Sequence, residues 1–286
     1  MVHMFIVSTP MIPNLRLSSM HLVLPHLYHD ENYVKIYRTL SMQGNLLLQD
    51  NSIFELKDVV AGDLIDYGKA ISATYIMVPE VLRDSRQCID KMEDFFAKLP
   101  SADKTAFKFA AAVQGKDYNE IKEHYRRLAY DERIDLIAIP FNFEFDAYGV
   151  RDEERKQAGY NRYSIIRRLS EDGAWRLAKD HHLLGLYNPA ELSMYSTGRT
   201  KVGVMSSILS NDSSSCFWHS LYGVHYSIED GLLYQKIESK VDFSVKYTSR
   251  LQYKLFERNA KIINGYLQGI GGESLERKYL RWIKEN

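Results

Sequence analysis

Short apolar runs that stop abruptly at a polar residue recur along the chain. Residues 46–49 stop at Asp50, residues 73–78 precede Glu80, and residues 109–113 stop at Gln114. A buried parallel strand has this continuous apolar pattern, and in barrel enzymes its carboxyl end faces the site. The pattern predicts strands at 20–25, 46–49, 73–78, 109–113, 134–139, 182–186 and 203–209.

Helical periodicity fills most of the intervals between these runs. Residues 30–40, 81–99 and 119–130 each carry apolar side chains at the three- and four-residue steps of one helix face. Alternation of strands and helices predicts a parallel sheet, and we expect an α/β protein, a single (β/α)8 TIM-like barrel. The eighth strand is either residues 4–8 or residues 221–227, and the second segment is favoured.

The domain organisation follows from length and from the absence of a linker-like segment. A chain of 286 residues accommodates one barrel of roughly 250 residues, so we expect a single domain over 1–286, with the barrel at approximately 20–235. A helical, locally basic C-terminal extension then covers approximately 236–286. Five of its basic residues share one helix face and predict a nucleic-acid-binding, phosphate-contacting surface: Lys246, Arg250, Lys254, Arg258 and Lys261.

Composition and charge narrow the protein class. Lys plus Arg and Asp plus Glu both number 37, so a nucleic-acid partner needs such a local basic surface. Two cysteines, Cys88 and Cys216, are too few for a disulfide scaffold or a cysteine-rich zinc site. We therefore expect no metal and no cofactor, a cytoplasmic location and, since the N-terminal apolar stretch is short, no membrane partner.

Two carboxylates are the candidate catalytic groups. Asp50 and Asp212 stand at the ends of apolar runs that are far apart in the chain. Helix capping is the alternative role for each of them, and also for Glu80, which directly precedes a predicted helix. Residues 151–181 are predicted to be mostly helical, and their basic residues Arg162, Arg167 and Arg168 are interpreted as a solvated helix face.

Five segments in order carry a family resemblance. They are LQDNSIFE at 48–55, VPE at 78–80, AVQG at 112–115, HLLGLYNPAEL at 182–192 and NDSSS at 211–215. The chain resembles the queuine/archaeosine tRNA-guanine transglycosylase superfamily, and most of all its shorter phage branch that inserts 7-deazaguanine bases into DNA. The resemblance covers roughly residues 20–230.

The resemblance implies a glycosyltransferase of the pentosyltransferase class. Such an enzyme exchanges guanine in DNA for a free 7-deazaguanine, such as 7-cyano-7-deazaguanine, through a covalent glycosyl-aspartate. By position, Asp212 matches the nucleophile that captures the sugar, and Asp50 matches the group that handles protons. Because one base replaces another through a stored glycosyl bond, no cofactor is implied.

The base pocket is also assigned through the resemblance. Glu80 and Gln114 match the residues that bind the polar edge of the base, and Gly115 and Gly185 lie in matching segments. Pro140 has no backbone N–H, so a donor from its turn must come from Phe141 or Asn142. The family usually has Asp at the position of Glu80 and Gly-Gly at Pro140-Phe141, and these two departures affect which base the pocket accepts. The family also has Pro at the position of Cys216, and this departure affects the rigidity of the loop after the nucleophile.

The choice of nucleic acid rests on a missing element. The tRNA enzymes of the superfamily carry a cysteine-rich zinc site near the C-terminus, whereas this chain has no cysteine after Cys216. DNA and a free 7-deazaguanine are therefore the expected partners, with a homodimer possible and the host cytoplasm as the location if a phage encodes the protein. The alternatives are a tRNA-guanine transglycosylase-like enzyme that acts on RNA and a non-catalytic nucleic-acid-binding barrel.

Overall fold

The computed structural model describes residues 1–7, 9, 11, 17–56, 60–151, 158–186, 191–196, 207–227 and 249–267. Eight strands lie in these ranges. They are β1 Val2–Phe5, β2 Met20–Val23, β3 Leu46–Gln49, β4 Tyr75–Met77, β5 Lys108–Ala112, β6 Leu136–Pro140, β7 Asp180–Leu184 and β8 Ile208–Ser213.

Helices follow most of the strands. They are α1 Glu31–Met42, α2 Ile53–Leu56, α3 Ala61–Ile71, α4 Ser85–Lys98, α5 Ser101–Ala106, α6 Tyr118–Tyr130, α7 Ala158–Glu171, α8 Leu192–Ser196, α9 Ser215–Leu221 and α10 Arg250–Leu267. Three helices are capped by an aspartate whose side chain accepts a backbone N–H of the first turn. These caps are Asp30 for α1, Asp84 for α4 and Asp117 for α6. Local sequence therefore sets where these helices begin.

The strands form one eight-stranded sheet in the order β1-β8-β7-β6-β5-β4-β3-β2. β1 pairs in parallel with β8, and each successive pair of strands from β2 to β6 is parallel. Sequential parallel neighbours connected by helices are the arrangement of a (β/α)8 fold. The predicted fold class, a TIM-like barrel, is confirmed.

The preferred choice for the eighth strand is wrong. The N-terminal segment Val2–Phe5 pairs with β8 and precedes the predicted barrel start near residue 20. Leu221 instead ends α9, and residues 222–227 contain no strand. Their backbone bonds explain this, because Val224 N–H donates to His219 O and Tyr226 N–H donates to the Asn259 side chain of α10.

The last strand also differs from the prediction, which gave residues 203–209. It covers Ile208–Ser213, and residues 203–206 lie outside the described ranges. Pairing with β1 draws the polar residues into the ladder, with Val2 opposite Ser210 and Phe5 opposite Ser213. Asp212 thus lies inside β8 rather than after a strand.

Two compact units divide the chain. The Asp212 unit comprises residues 1–18, 141–177 and 183–286, and the Asp50 unit comprises residues 19–140 and 178–182. In the Asp50 unit, apolar side chains such as Leu48, Ile76 and Phe109 are buried, and in the Asp212 unit Met4 and Phe217 are. A single domain over 1–286 stays a prediction, and the predicted boundary between barrel and extension at 235/236 falls outside the described residues.

Candidate active site

The Asp50 side chain lies on the sheet face opposite α3. Its neighbour Gln49 donates from Nε2 to Leu64 O of α3 at 2.8 Å, so Gln49 points towards the helices. Asp50 N–H donates to Val23 O at 2.9 Å, which continues the parallel ladder through this residue. Because successive side chains of a strand point to opposite faces, Asp50 points away from α3. It is half-buried at the carboxyl end of β3.

A hydrogen-bonded cluster follows β3, β4 and β5 in the Asp50 unit. Glu80 Oε1 accepts from Asn51 Nδ2 at 3.2 Å, and Glu80 Oε2 accepts from Gln114 Nε2 at 2.7 Å. All three side chains are buried. Burial raises the pKa of Glu80, and the hydrogen bonds from Gln114 and Asn51 partly oppose that increase. The structure thus brings Glu80 and Gln114 together, with Asn51 as a third member that sequence reasoning left without a role.

Glu80 is not the cap of α4. That helix begins at Ser85, and its cap is Asp84, which accepts the N–H of Gln87 at 2.9 Å. In the same way, Asn51 Oδ1 accepts the N–H of Ile53 at the start of α2. The cap of α4 is therefore supplied by Asp84, four residues after Glu80.

Gln114 is fixed from several directions. Its Oε1 accepts the N–H of Arg83 at 3.0 Å, and its backbone lies 3.0 Å from Nδ1 of the buried His124 in α6. Burial lowers the pKa of His124, which favours the neutral ring. Gly115 permits this packing, because a Cβ there would lie 2.8 Å from Ile121 N. Gly115 is explained by the approach to α6, independently of any base contact.

A cavity of about 600 Å³ opens beside this cluster, within the Asp50 unit. Asn51, Pro79 and Glu80 line one part, and α3 and α4 contribute Ile65 and Phe95. Besides Glu80, the lining carries several charged residues of these helices and of α5, namely Asp66, Lys69, Lys91, Asp94, Lys98 and Asp103. Because α3, α4 and α5 supply much of the lining, the cavity lies on the helix side of β3, whereas Asp50 points to the opposite face.

Asp212 lies on the sheet face opposite α10. The Phe5 ring contacts Phe256 of α10 with a centroid separation of 5.6 Å, and the His3 ring hydrogen-bonds the Asn211 side chain. His3 and Asn211 are register partners, as are Met4 and Asp212. Side chains alternate along both strands, so Asp212 shares the opposite face with Met4. It is buried, and it stands two residues before Ser214, the residue that precedes α9.

Gly185 connects Asp212 to the turn after β6. Gly185 N–H donates to Asp212 Oδ1 at 2.8 Å. Its φ of +67° is in the left-handed region, and a Cβ at this position would lie 2.5 Å from the ring of Phe141. Phe141 N–H donates to Leu184 O at 3.0 Å, so this predicted donor for the base carbonyl already has a backbone partner. The structure thus brings Phe141, Gly185 and Asp212 together. Asn142, the residue after Phe141, is buried.

A fully buried ion pair supports the same turn. Arg162 of α7 donates from Nε and Nη2 to the two carboxylate oxygens of Glu191 at 2.8 and 2.9 Å, and from Nη1 to Leu184 O at 3.0 Å. Tyr195 donates its hydroxyl to Glu191 Oε1 at 2.9 Å. The interpretation of Arg162 as part of a solvated face is wrong. A signal was present, because Arg162 shares a helix face with Ile165, Ile166 and Leu169.

The predicted basic surface falls on α10. Arg250, Lys254, Arg258 and Lys261 are exposed on one face of this helix, with Glu257 among them. The opposite face is buried through residues such as Leu255, Ala260 and Ile263. Lys246 lies outside the described residues.

In the ranges that the structure describes, no cluster of three or more His, Cys, Asp and Glu side chains is arranged to hold a metal ion, and no helix is long and apolar enough to cross a membrane. No protein-family model matches the chain, and no curated protein matches it.

Proposed function

We propose that the protein is a guanine transglycosylase that exchanges guanine in DNA for a free 7-deazaguanine base. The observation that supports this most is the setting of Asp212, a buried carboxylate in β8 whose Oδ1 is held by a backbone N–H. Asp50 has a corresponding position in its own unit, at the end of β3 and on the face opposite the helices. In (β/α)8 enzymes, catalytic groups come from the carboxyl ends of several different strands.

The proposed chemistry begins with attack by Asp212 on C1′ of the target deoxyguanosine. A carboxylate oxygen forms a bond to C1′ while the C1′–N9 bond breaks, and its electron pair leaves with guanine, to which the Asp50 carboxyl gives a proton. The incoming base then gives its N9 proton to the Asp50 carboxylate and attacks C1′. The ester bond to Asp212 breaks, and the sugar keeps its original configuration after two inversions.

Base selection is assigned to Glu80 and Gln114. A guanine-like edge carries N–H donors and a carbonyl acceptor, which complement a carboxylate and an amide. The Glu80 carboxylate accepts from the Gln114 amide at 2.7 Å, so the two groups already lie side by side. A polar group left unpaired in such a site costs about 1–3 kcal/mol, which is sufficient to discriminate between bases.

The nucleic acid is assigned to the exposed basic face of α10. Three of its residues, Lys254, Arg258 and Lys261, recur at three- and four-residue spacing and suit successive phosphate contacts. Since a base within a duplex cannot reach a barrel interior, the target guanine must be flipped out or already single-stranded.

The test is release of labelled guanine from DNA and from tRNA, with and without 7-cyano-7-deazaguanine. We expect base-dependent release from DNA, reduced by about 1,000-fold or more in Asp212→Asn and strongly reduced in Asp50→Asn. Asp90→Asn, an exposed aspartate of α4, is the matched control and should retain full activity.

Other outcomes separate the alternatives. Release from tRNA alone would favour a tRNA-directed enzyme. Release from neither nucleic acid, with binding intact in both aspartate variants, would contradict the proposal and favour a non-catalytic nucleic-acid-binding barrel.

A further inference from the structure

We infer that Arg162 is a positioning residue that holds the Asp212 carboxylate through the peptide group between Leu184 and Gly185. The inference rests on the proposed function, because it assigns Arg162 a part in the reaction of Asp212. Arg162 itself is fully buried in α7 and donates to a backbone carbonyl, so it acts through that peptide rather than on a substrate.

The two ends of one peptide group carry the connection. Leu184 O accepts from Arg162 Nη1 at 3.0 Å and from Phe141 N–H at 3.0 Å. On the other side of the same peptide bond, Gly185 N–H donates to Asp212 Oδ1 at 2.8 Å. A carbonyl that accepts from a cation polarises its amide, and this strengthens the N–H as a donor. The charge of Arg162 is thereby communicated to Asp212.

The orientation of this peptide is sterically defined as well. Gly185 has a φ of +67°, which an L side chain rarely adopts, and the Phe141 ring occupies the space of a Cβ. With its carbonyl bound from two directions and its Cα packed under a ring, the peptide presents its N–H in one direction. Asp212 is held in that direction.

Electrostatics agree with the geometry. Burial works against the charge of Arg162, but Glu191, with smaller contributions from Tyr195 and Asp212, outweighs it and raises the pKa of Arg162. Arg162 therefore remains a cation. The negative charge of Asp212 helps to stabilise the Arg162 cation, and by the same interaction the Arg162 cation attracts the Asp212 carboxylate.

An isotope experiment isolates this peptide without a full assignment. The sequence contains a single Leu-Gly dipeptide, at residues 184 and 185. Labelling leucine with ¹³C at the carbonyl and glycine with ¹⁵N therefore yields one carbonyl-amide cross-peak, which reports on both ends of the proposed connection. Asp212→Asn identifies the part of the Gly185 amide proton shift that arises from the carboxylate.

The principal variant is Arg162→Met/Glu191→Leu. It removes both charges, and apolar replacement of a buried ion pair often preserves stability. We expect the Leu184 carbonyl carbon and the Gly185 amide proton both to move upfield. We expect kcat for base exchange to fall between about 10- and 100-fold, with KM for the free base unchanged. Arg167→Met/Glu171→Leu is the matched control, an exposed pair on the same helix that should change none of these.

Arg162→Lys is the second variant, for use if the double variant does not fold. It keeps a cation for Glu191 but lacks the planar fork that binds both the carboxylate and Leu184 O, so smaller changes in the same directions are expected. A carbonyl shift without any amide proton shift, in either variant, would overturn the inference. Expected shifts without guanine release by the wild type would support the positioning of Asp212 and reject the transglycosylase instead.

Discussion

The two units hold their candidate carboxylates in different ways. In the Asp50 unit, Glu80 is bound by the neutral side-chain amides of Asn51 and Gln114, and burial raises its pKa. In the Asp212 unit, Asp212 is bound by the backbone N–H of Gly185, and Arg162, itself paired with Glu191, donates to the carbonyl of the same peptide group. The first arrangement suits exchange of hydrogen bonds with a base, and the second suits a fixed anion. We propose this as a division of labour between base recognition and sugar chemistry.

The largest expected effect is on the free energy of unfolding, and it distinguishes the turn at Gly185 from the turn at Gly173. Gly185→Ala combines a positive φ with a clash against Phe141, so we expect the free energy of unfolding to fall by about 2–4 kcal/mol. Gly173→Ala is the matched control, because its φ is +66° and no atom lies within 4 Å of the added Cβ. It should cost only the strain of an L residue at positive φ, about 1–2 kcal/mol.

Denaturant unfolding of the two alanine variants measures this difference. Equal losses would show that the Phe141 ring moves aside at little cost. The Leu184–Gly185 peptide would then lack the steric constraint on which the contrast between the two units depends.

Local patterns made much of the Asp50 unit predictable. The apolar run of β3 ends before Asp50, and the runs of β4 and β5 lead to Glu80 and Gln114, so burial and chain direction predicted these positions. The partners of Glu80 were not predictable, because Asn51 and Gln114 are 29 and 34 residues away in the chain. Only the sheet brings these side chains together.

The Asp212 unit was harder to predict for two physical reasons. Ser210, Asn211 and Asp212 have weak strand propensity, and pairing with β1 overrides it. Arg162 was predicted to be exposed because charged helix residues usually are exposed. Its partner Glu191 lies 29 residues further along the chain, so no local pattern indicated the buried ion pair. Long-range pairing, which local patterns do not encode, determines both features.

A smaller effect is expected at the basic face of α10, which belongs to the Asp212 unit. Lys254→Gln should weaken DNA binding by less than about 1 kcal/mol and reduce the slope of log affinity against log salt by about one. Glu257→Gln, on the same helix face, should strengthen binding. DNA titrations over a range of salt concentrations measure both slopes, and an unchanged slope in Lys254→Gln would remove this face from the interface.

The smallest expected effect concerns the pH dependence of stability at Glu80. Its pKa in the folded protein is raised above the ordinary value of 4.5, so the folded state binds this proton more readily than the unfolded state. Stability from this group is therefore greatest at low pH and declines as pH rises from about 4.5 through the raised pKa. Glu80→Gln should lack this decline. Unfolding midpoints of both proteins across the range measure it, and parallel curves would contradict the proposed environment of Glu80.

Locating the covalent intermediate tests most directly whether Asp212 is the nucleophile. The protein would be incubated with a guanine-containing single-stranded DNA in the absence of an incoming base, quenched, digested with protease and mapped by mass spectrometry. If Asp212 is the nucleophile, a nucleotide adduct forms on Asp212 and is absent from Asp212→Asn. Base exchange without an adduct on Asp212, or with an adduct on Asp50 instead, would contradict the assignment of Asp212 as the nucleophile.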